Sequence, residues 1–584
     1  MALNVTLPLI FTLPFFFLAY RYYTRYIAKV FGEDDHNPTP AVSINDQKDY
    51  VPTKPLVLFG HHFAAIAGAG PIIGPTVALI YGYIPVMLWI VLGSIFICAV
   101  HDFSALFASV RENGKSMAEV AERSMGKPGF IIFIIFAIFM LLLIGSAFIG
   151  LAAIAFTSLV PLKEMGILHS KTLIKTVTID GIPKANLGGI AATSLIFIIC
   201  VSPLIGFLLY RKGVSVIWVS LLAIIAALLS IRIGIAYPIS LEHSTWMILL
   251  ALYTFIAAGV PIWIIHQPRD FIDSFILYGG IMALIAGSIT GGLKGLSFNA
   301  PAFNITQGAM KLGAIWPILF ITVACGAISG FHALVSGGTS SKQVSKESHT
   351  KIVGYGGMLL EGIFALCVII AVGSGFEFDR FIQVVFPIDP GVKSNPVLAF
   401  ALGVGGLLER GISLPTVYGI VFGILLVAGF LATTLDASVR LTRYLLEELW
   451  AALFSTPPKI LRYYFFNSFL CVSIMFILAY SNAFLIIWPI FGSANQLMAA
   501  LTLLGISIWL FRKGKRCSFL ILPAIFMMIT TLVSLLYLLF KIYLPYHNWM
   551  LTLVDLILIG LAGGVIILSI KSFFKEGSAA SIKS

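Results

Sequence analysis

The sequence predicts an all-α, polytopic membrane protein of about fifteen transmembrane helices, some of them interrupted at mid-bilayer depth. Three observations carry this: the apolar composition, the number of apolar runs of bilayer length, and a glycine and proline cluster at the centre of one run. Hydrophobic residues make up 59% of the 584 and charged residues 11%, with a mean hydropathy of +1.01. A soluble globule is only about half apolar. The interrupted run lies in FGHHFAAIAGAGPIIGPTVALIYGYIPVMLWIVLGSIFICAVHDF, Phe59 to Phe103. Gly68, Gly70, Pro71, Gly74 and Pro75 sit near the middle of a stretch long enough to span about 30 Å of hydrocarbon. Proline removes a backbone donor and glycine leaves helical geometry readily. Backbone freed in this way must be buried in protein or line a wet cavity, as in the broken helices of secondary transporters.

Taken in order, the first run, 7–20, lacks a positive n-region and a small-residue cleavage site, so it reads as an anchor helix and not a removable signal. Arg21, Arg25 and Lys29 follow it, then a polar loop, Glu33 to Lys54, with Asn-Pro and Thr-Pro turns. The positive-inside rule puts that loop in the cytoplasm and the N-terminus outside. Further runs fall at 56–82, 84–110, 129–160, 187–210, 214–237, 243–266, 271–292, 314–336, 353–376, 414–434, 460–482, 484–511, 518–541 and 549–571. Alternation makes Arg111 to Lys127, Arg211-Lys212, Arg269, Lys342 to Lys351, Arg440 to Arg443, Arg512 to Arg516 and Lys571 to Lys575 cytoplasmic, and the C-terminus with them. Lys163, Lys171, Lys175 and Lys184 run against the rule, in a loop whose VTID stretch reads as a small outer flap. The net charge of +12 lies in these short clusters and on no single basic face, so topology accounts for it and no nucleic-acid partner is expected. Six cysteines, widely separated and mostly inside apolar runs, give no disulfide framework and no metal-ligand spacing.

A second break is expected in FIAAGVPIWI, Phe255 to Ile264, which like the first has small residues before Gly-x-Pro. The two would run in opposite directions with four spans between them, the arrangement of a five-helix inverted repeat with the substrate between its breaks. Packing alone also accounts for Gly and Pro in membrane helices. On the first reading His61, His62, Gly68, Gly70, Pro71 and Gly74 form one wall of the substrate site, and Gly259 and Pro261 the other. Partial positive charge at the N-terminus of a half-helix suits a carboxylate.

Other polar residues inside apolar runs each have a bland and a functional reading. In FHALVSGGTSSK, Ser336 and Thr339 either coordinate a cation or substrate or form a polar helix exit. Glu361, about two turns into its span, is an intramembrane carboxylate that needs a polar interior or a partner. Asp436 with Arg440, and Arg443 with Glu447, have the i, i+4 spacing of a salt-bridged interfacial helix. Asn495 in WPIFGSANQLM is interhelical glue or a site residue. His61 and His62 point about 100° apart on a helix and cannot chelate one metal as an i, i+4 pair does. His101-Asp102 is either a proton relay or a polar helix-end pair. Taken as a set, His61, His62, His101 and His332 are read as containing one proton-handling member. The candidate coupling groups are His101, Asp102, His332 and Glu361.

The motifs FGHHFAAIAGAGPIIGP, AVHDF, GFHALVSGGT, GYGGMLLE, TTLDASVRLTRYLLEEL and WPIFGSANQ, in this order from about Tyr20 to Leu510, resemble those of the carbon starvation protein A (CstA) family. The approach YRYYTRYIAKVFGEDDHNPTPAVSINDQKDYVPT is similar to the same family. The chain has one N-terminal span where longer members have two, and a compact region from Phe376 to Pro415. The resemblance implies an inner-membrane transporter used in nutrient limitation, with pyruvate and small peptides as substrates, proton coupling, and a leucine-transporter-like fold. It divides the chain into an anchor and loop (1–55), a transporter core (56–376), C-terminal family helices (377–515) and two terminal helices (516–584).

The sequence thus reads as a secondary active transporter for a small carboxylate or peptide, driven by protons or alternatively by sodium, and not as an enzyme. A nutrient-sensing receptor is disfavoured because no soluble stretch is long enough for a signalling domain. An intramembrane metal-dependent enzyme is disfavoured because HExxH and Cys-x-x-Cys are missing, so no metal is expected. The chain has no GxxxxGK[ST] loop, so ATP drive is not expected, nor any cofactor.

Overall fold

Inside hydrocarbon a helix satisfies its own backbone hydrogen bonds, so long apolar runs become helices and depart from them only where protein can substitute for water. A computed structural model of the chain describes residues 3–46, 50–162, 175–179, 181–261, 263–389, 392–482 and 484–581. After α1 (Leu7–Leu18), α2 (Pro55–Ile66) and α3 (Gly70–Ala78) come α4 (Tyr83–Arg111), α5 (Met125–Phe156), α6 (Leu187–Leu209), α7 (Val216–Ala236), α8 (His243–Gly259) and α9 (His266–Leu293). Three short helices follow: α10 (Ile305–Lys311), α11 (Ile315–Thr322) and α12 (Phe331–Gly338). The longer helices that follow are α13 (Lys351–Gly375), α14 (Pro396–Ile412), α15 (Thr416–Leu453), α16 (Tyr464–Ser481), α17 (Phe484–Arg512), α18 (Ser518–Tyr543) and α19 (Trp549–Ser572).

Among the described residues, 11 helices are long and apolar enough to cross a membrane, or up to 13 if each of two bent pairs counts as one span. Of the other two runs read as spans, 7–20 is part of one uninterrupted helix that continues from α1 through Ala19–Tyr23 to Phe31, and α8 is a shorter helix of 17 residues. The compact region between Phe376 and Pro415, to which the sequence assigns no span, contains α14, a helix of 17 residues, most of them buried. It packs on α9, α13 and α15. Its four glycines let those neighbours approach closely, and they also weaken the apolar signal by which a span is recognised.

α17 and α13 form the centre, with 89% and 83% of their apolar windows buried, whereas α7 and α19, at 28%, lie at the periphery. α5 packs along both α15 and α17. The expected flap is a three-stranded antiparallel sheet, β1 (Leu159–Pro161), β2 (Thr176–Ile179) and β3 (Ile182–Asn186), in the order β1-β3-β2 with Leu159 opposite Asn186. Of its lysines, Lys163 and Lys171 lie outside the described residues.

The loop after α1 docks at the end of α4. Arg111 Nε lies 2.5 Å from Glu347 Oε1, the Asp34 amide donates to Glu347 Oε2 (2.9 Å), and Lys351 pairs with Glu33 (2.7 Å). Arg111, Lys351 and the 33–36 loop therefore share one face, as the alternation of charge clusters requires.

The break in 56–82 is where the sequence puts it. α2 ends at Ile66, α3 begins at Gly70, and the two half-helices diverge by 48°. Residues 323–330, between α11 and α12, are a second interruption, inside the run read as the single span 314–336. Gly259 and Pro261, by contrast, lie at the end of α8 and just beyond it.

Candidate functional site

The unwound 323–330 segment exists because side chains on other helices take over its hydrogen bonds. Trp89 Nε1 donates to Phe320 O and Val323 O (both 3.2 Å), Trp488 Nε1 to Thr322 O (3.1 Å), and Gln496 Nε2 to Phe320 O (2.5 Å). Asn495 accepts the Phe331 amide on Oδ1 (3.0 Å), and its backbone carbonyl accepts the Gly330 amide (3.0 Å). Its Nδ2 donates to Ser329 Oγ at 3.1 Å. Gly326, at φ +89°, makes the turn that lets the segment leave the helix.

This segment meets α3 face to face. A Cβ on Gly70 would overlap the Cys325 side chain, and one on Gly74 would lie 2.6 Å from Thr322 O. Gly68, whose amide is taken by Ile66 O (2.8 Å), abuts the Thr434 hydroxyl on α15. Gly68, Gly70, Pro71 and Gly74 are all buried. The wall opposite them is thus Thr322 to Gly326. Gly259 packs against Tyr464 and Phe465, and Pro261 is exposed.

Four of the polar residues singled out in the sequence converge where α4, α12 and α13 meet. Asp102 faces His101 Nδ1 with Oδ1 (2.8 Å) and His332 Nδ1 with Oδ2 (2.7 Å). The other nitrogen of His332 faces Glu361 Oε2 at 3.4 Å, and Glu361 Oε1 accepts the Gly326 amide (3.1 Å). All four side chains are fully buried.

Hydrogen-bond inventory limits the protonation states. If Asp102 is ionised and accepts from both histidines, His332 carries a proton on Nδ1. Its Nε2 is then either protonated beside a Glu361 carboxylate or bare beside a Glu361 carboxylic acid. Either way one proton resides between His332 and Glu361, in a place without solvent to exchange it.

Cys98 adjoins the cluster, with Sγ 3.8 Å from Asp102 Oδ1 and from His332 Nδ1, and accepting the Ser329 amide (3.3 Å). Cys98, Asp102 and His332 offer S, O and N donors within 4.8 Å of one another, a set able to hold a cation. Its Asp102 and His332 atoms already face each other at hydrogen-bond distance. Cys98 and Cys325, which the sequence places inside apolar runs without a metal-ligand spacing, border this polar site. Each has a partner one helical turn on, Asp102 and Ser329, but the contacts that complete the site, with His332 and Asn495, are 234 and 170 positions away.

The other candidates are dispersed. His62 is buried, with Nδ1 2.7 Å from Ser340 Oγ, whereas His61 is exposed at the protein surface. Ser336 is buried, and its hydroxyl has no partner among the described residues. Thr339 is exposed and donates to Val335 O (2.8 Å).

A second buried charge cluster borders α2. Arg269 pairs with Asp436, and it also donates to Tyr253 Oη (2.6 Å) and Asp270 Oδ1 (2.9 Å). This corrects the helical pairing expected for Asp436: Arg440 instead donates to Ala257 O (3.0 Å) and Val260 O (2.8 Å). The i, i+4 spacing is present, but the fully buried Arg269 offers Asp436 a partner without loss to water. Arg443 and Glu447 do pair, at 3.6 Å.

Comparison with known proteins extends these observations. The profile of the family described as "Carbon starvation protein CstA" matches residues 4–389 and 377–534. The peptide transporter CstA of Bacillus subtilis (strain 168) is 33% identical over 532 residues, covering 85% of this chain and 84% of that one. The pyruvate/proton symporter BtsT of Escherichia coli (strain K12) is 31% identical, covering 88% and 79%. Among solved structures, a manganese transporter of Eremococcus coleocola overlays with a TM-score of 0.48 at 12% identity, covering 91% of this chain and 98% of its own.

Proposed function

The chain belongs to the carbon starvation protein CstA family, and from that premise we propose that it is a secondary active transporter importing pyruvate or short peptides with protons across the cytoplasmic membrane. The observation that carries the coupling is His332, whose Nδ1 is hydrogen-bonded to Asp102 and whose Nε2 faces Glu361 at 3.4 Å. A proton shared in such a bridge is gained or lost only when one of the three elements moves, and α12 is tied directly to the unwound segment. Movement of the broken helices would thereby open the bridge to one side of the membrane. Asp102, His332 and Glu361 are the coupling residues in this reading, with His101 holding the Asp102 carboxylate. Gly68, Gly70, Pro71 and Gly74, opposite Thr322 to Gly326, form the substrate passage, closed in this conformation.

The N-terminus is outside and the C-terminus cytoplasmic, as the charge clusters require. A receptor or an enzyme would leave the proton bridge without a role, so neither is favoured. The test is uptake of labelled pyruvate and dialanine into proteoliposomes under imposed proton and sodium gradients. Accumulation with a proton gradient alone supports the proposal; accumulation with sodium alone overturns the coupling, and none with either gradient overturns the transport reading.

A further inference from the structure

On the face of the molecule that carries the start of α8 and the ends of α10 and α16, outer in the topology above, a cavity of about 950 Å³ opens between α5, α8, α16 and α17. That is near the upper end of the roughly 300–1,000 Å³ of ligand pockets. It lies away from the helix break. Ser146 lines it from a position 10 residues below the end of α5, which at 1.5 Å per residue is about 15 Å in. Ile487 lines it on α17, eight residues, or about 12 Å, before Asn495.

The lining polar groups are of both signs. Lys311 and Lys393 are exposed at the rim and have no hydrogen-bond or ion-pair partner among the described residues. Glu242, just before α8, is exposed there too and caps no backbone amide with its side chain. Deeper in, the Ser146 hydroxyl is fully buried and has no partner among the described residues, and the same holds for the Nδ1 atom of His243. A buried hydroxyl without a partner is uncommon, because leaving it so loses the hydrogen bond it had in water. Met247, Phe386 and Leu485 supply apolar wall between these groups.

We propose that this cavity is a second substrate site, one that holds a short zwitterionic peptide with its carboxylate toward Lys311 and Lys393 and its ammonium toward Glu242. The inner polar atoms of Ser146 and His243 then meet the peptide backbone. The inference rests on the transport reading and adds to it a residue set that separates peptides from simple carboxylates. A monoanion such as pyruvate satisfies the lysines, leaves Glu242 without a counterpart and fills little of the space.

The test is calorimetric binding to the full-length protein in detergent, with dialanine, N-acetyl-dialanine and pyruvate as probes. Glu242→Gln is expected to weaken dialanine about fivefold and to leave N-acetyl-dialanine, which lacks the ammonium, unchanged. Lys311→Met with Lys393→Met weakens both peptides, and Ser146→Leu, which fills the inner end, removes dialanine binding. The rim changes sit on exposed side chains, so the test survives if Ser146→Leu fails to fold. Dialanine affinity unchanged in the Glu242 and lysine variants, or no dialanine binding by the parent, overturns the proposal. A parent that binds dialanine with this pattern yet accumulates nothing under any gradient contradicts the transport reading and leaves the site standing.

Discussion

Asp102 and His332, 230 positions apart in the chain, meet at 2.7 Å in a fully buried contact that joins a continuous helix to a short helix after a break. The contact ties the titratable cluster to the part of the fold best suited to move. Its consequences can be tested at each of the groups around it.

Glu361→Gln removes one end of the proton bridge and keeps the shape of the side chain. One pH unit is worth about 1.4 kcal/mol per proton, enough for roughly tenfold accumulation. The variant is expected to fall from that ratio to about one while still exchanging substrate in counterflow; Asp102→Asn is expected to do the same or to lose exchange as well. Should both variants concentrate labelled substrate like the parent under a pH gradient, coupling lies elsewhere, with a cation site near Ser336 the next candidate.

Gly70→Ala places a methyl group on the Cys325 side chain. Transport is expected to fall to background while the protein still inserts. Cys325→Gly in the same chain removes the obstruction and is expected to restore a measurable part of the rate. Failure of that rescue, with both variants well inserted, would show that contact between the two breaks is not what limits transport.

Asn495→Ala leaves the Phe331 amide and the Ser329 hydroxyl without their partner. An unsatisfied buried group costs about 1–3 kcal/mol. The variant should therefore unfold at a lower temperature in detergent than the parent, by more than Ser507→Ala, which removes only a hydroxyl bonded within its own helix.

Arg269→Met strands the buried Asp436 carboxylate and is expected to destabilise the fold by about 3–5 kcal/mol. Arg269→Met with Asp436→Leu removes both charges and should recover much of the loss. Yields and thermal unfolding of the two variants decide it: if the double variant is no better than the single one, the pair has a role other than mutual neutralisation.

The topology is checked with a reporter. Green fluorescent protein fused after Ser584 is expected to fluoresce and alkaline phosphatase at the same place to be inactive; the reverse pattern would invert the whole assignment.

Much of this architecture was legible in the sequence, for reasons that vary from element to element. Composition and run length identify the membrane helices because hydrocarbon leaves the backbone few alternatives. Gly70-Pro71 and Gly74-Pro75 announce the first break because proline and glycine leave a local mark. The second break, Val323 to Gly330, contains no proline and is mostly small and apolar, so it passes as a span. What unwinds it is Trp89, Trp488, Asn495 and Gln496, none of them nearby in sequence. The short Gly-x-Pro echo at Gly259 and Pro261 was the more visible signal, yet it falls at a helix end. His101, Asp102, His332 and Glu361 stood out one by one, since ionisable groups in apolar runs are rare. That three helices bring them to one point is a tertiary fact, and so is the replacement of Arg440 by Arg269 beside Asp436.

The hydrogen bonds that hold Val323 to Gly330 open come from indole, amide, carboxylate and thiol groups on three other helices, so the instructions for this irregular stretch are written outside it. Transplanted alone into the helix of another protein, the octapeptide VACGAISG would have no reason to stay unwound. A working graft has to bring Trp89 and Cys98 on one helix, Glu361 on a second and Trp488, Asn495 and Gln496 on a third, which makes the smallest exchangeable unit between two such proteins a set of four segments rather than a single loop.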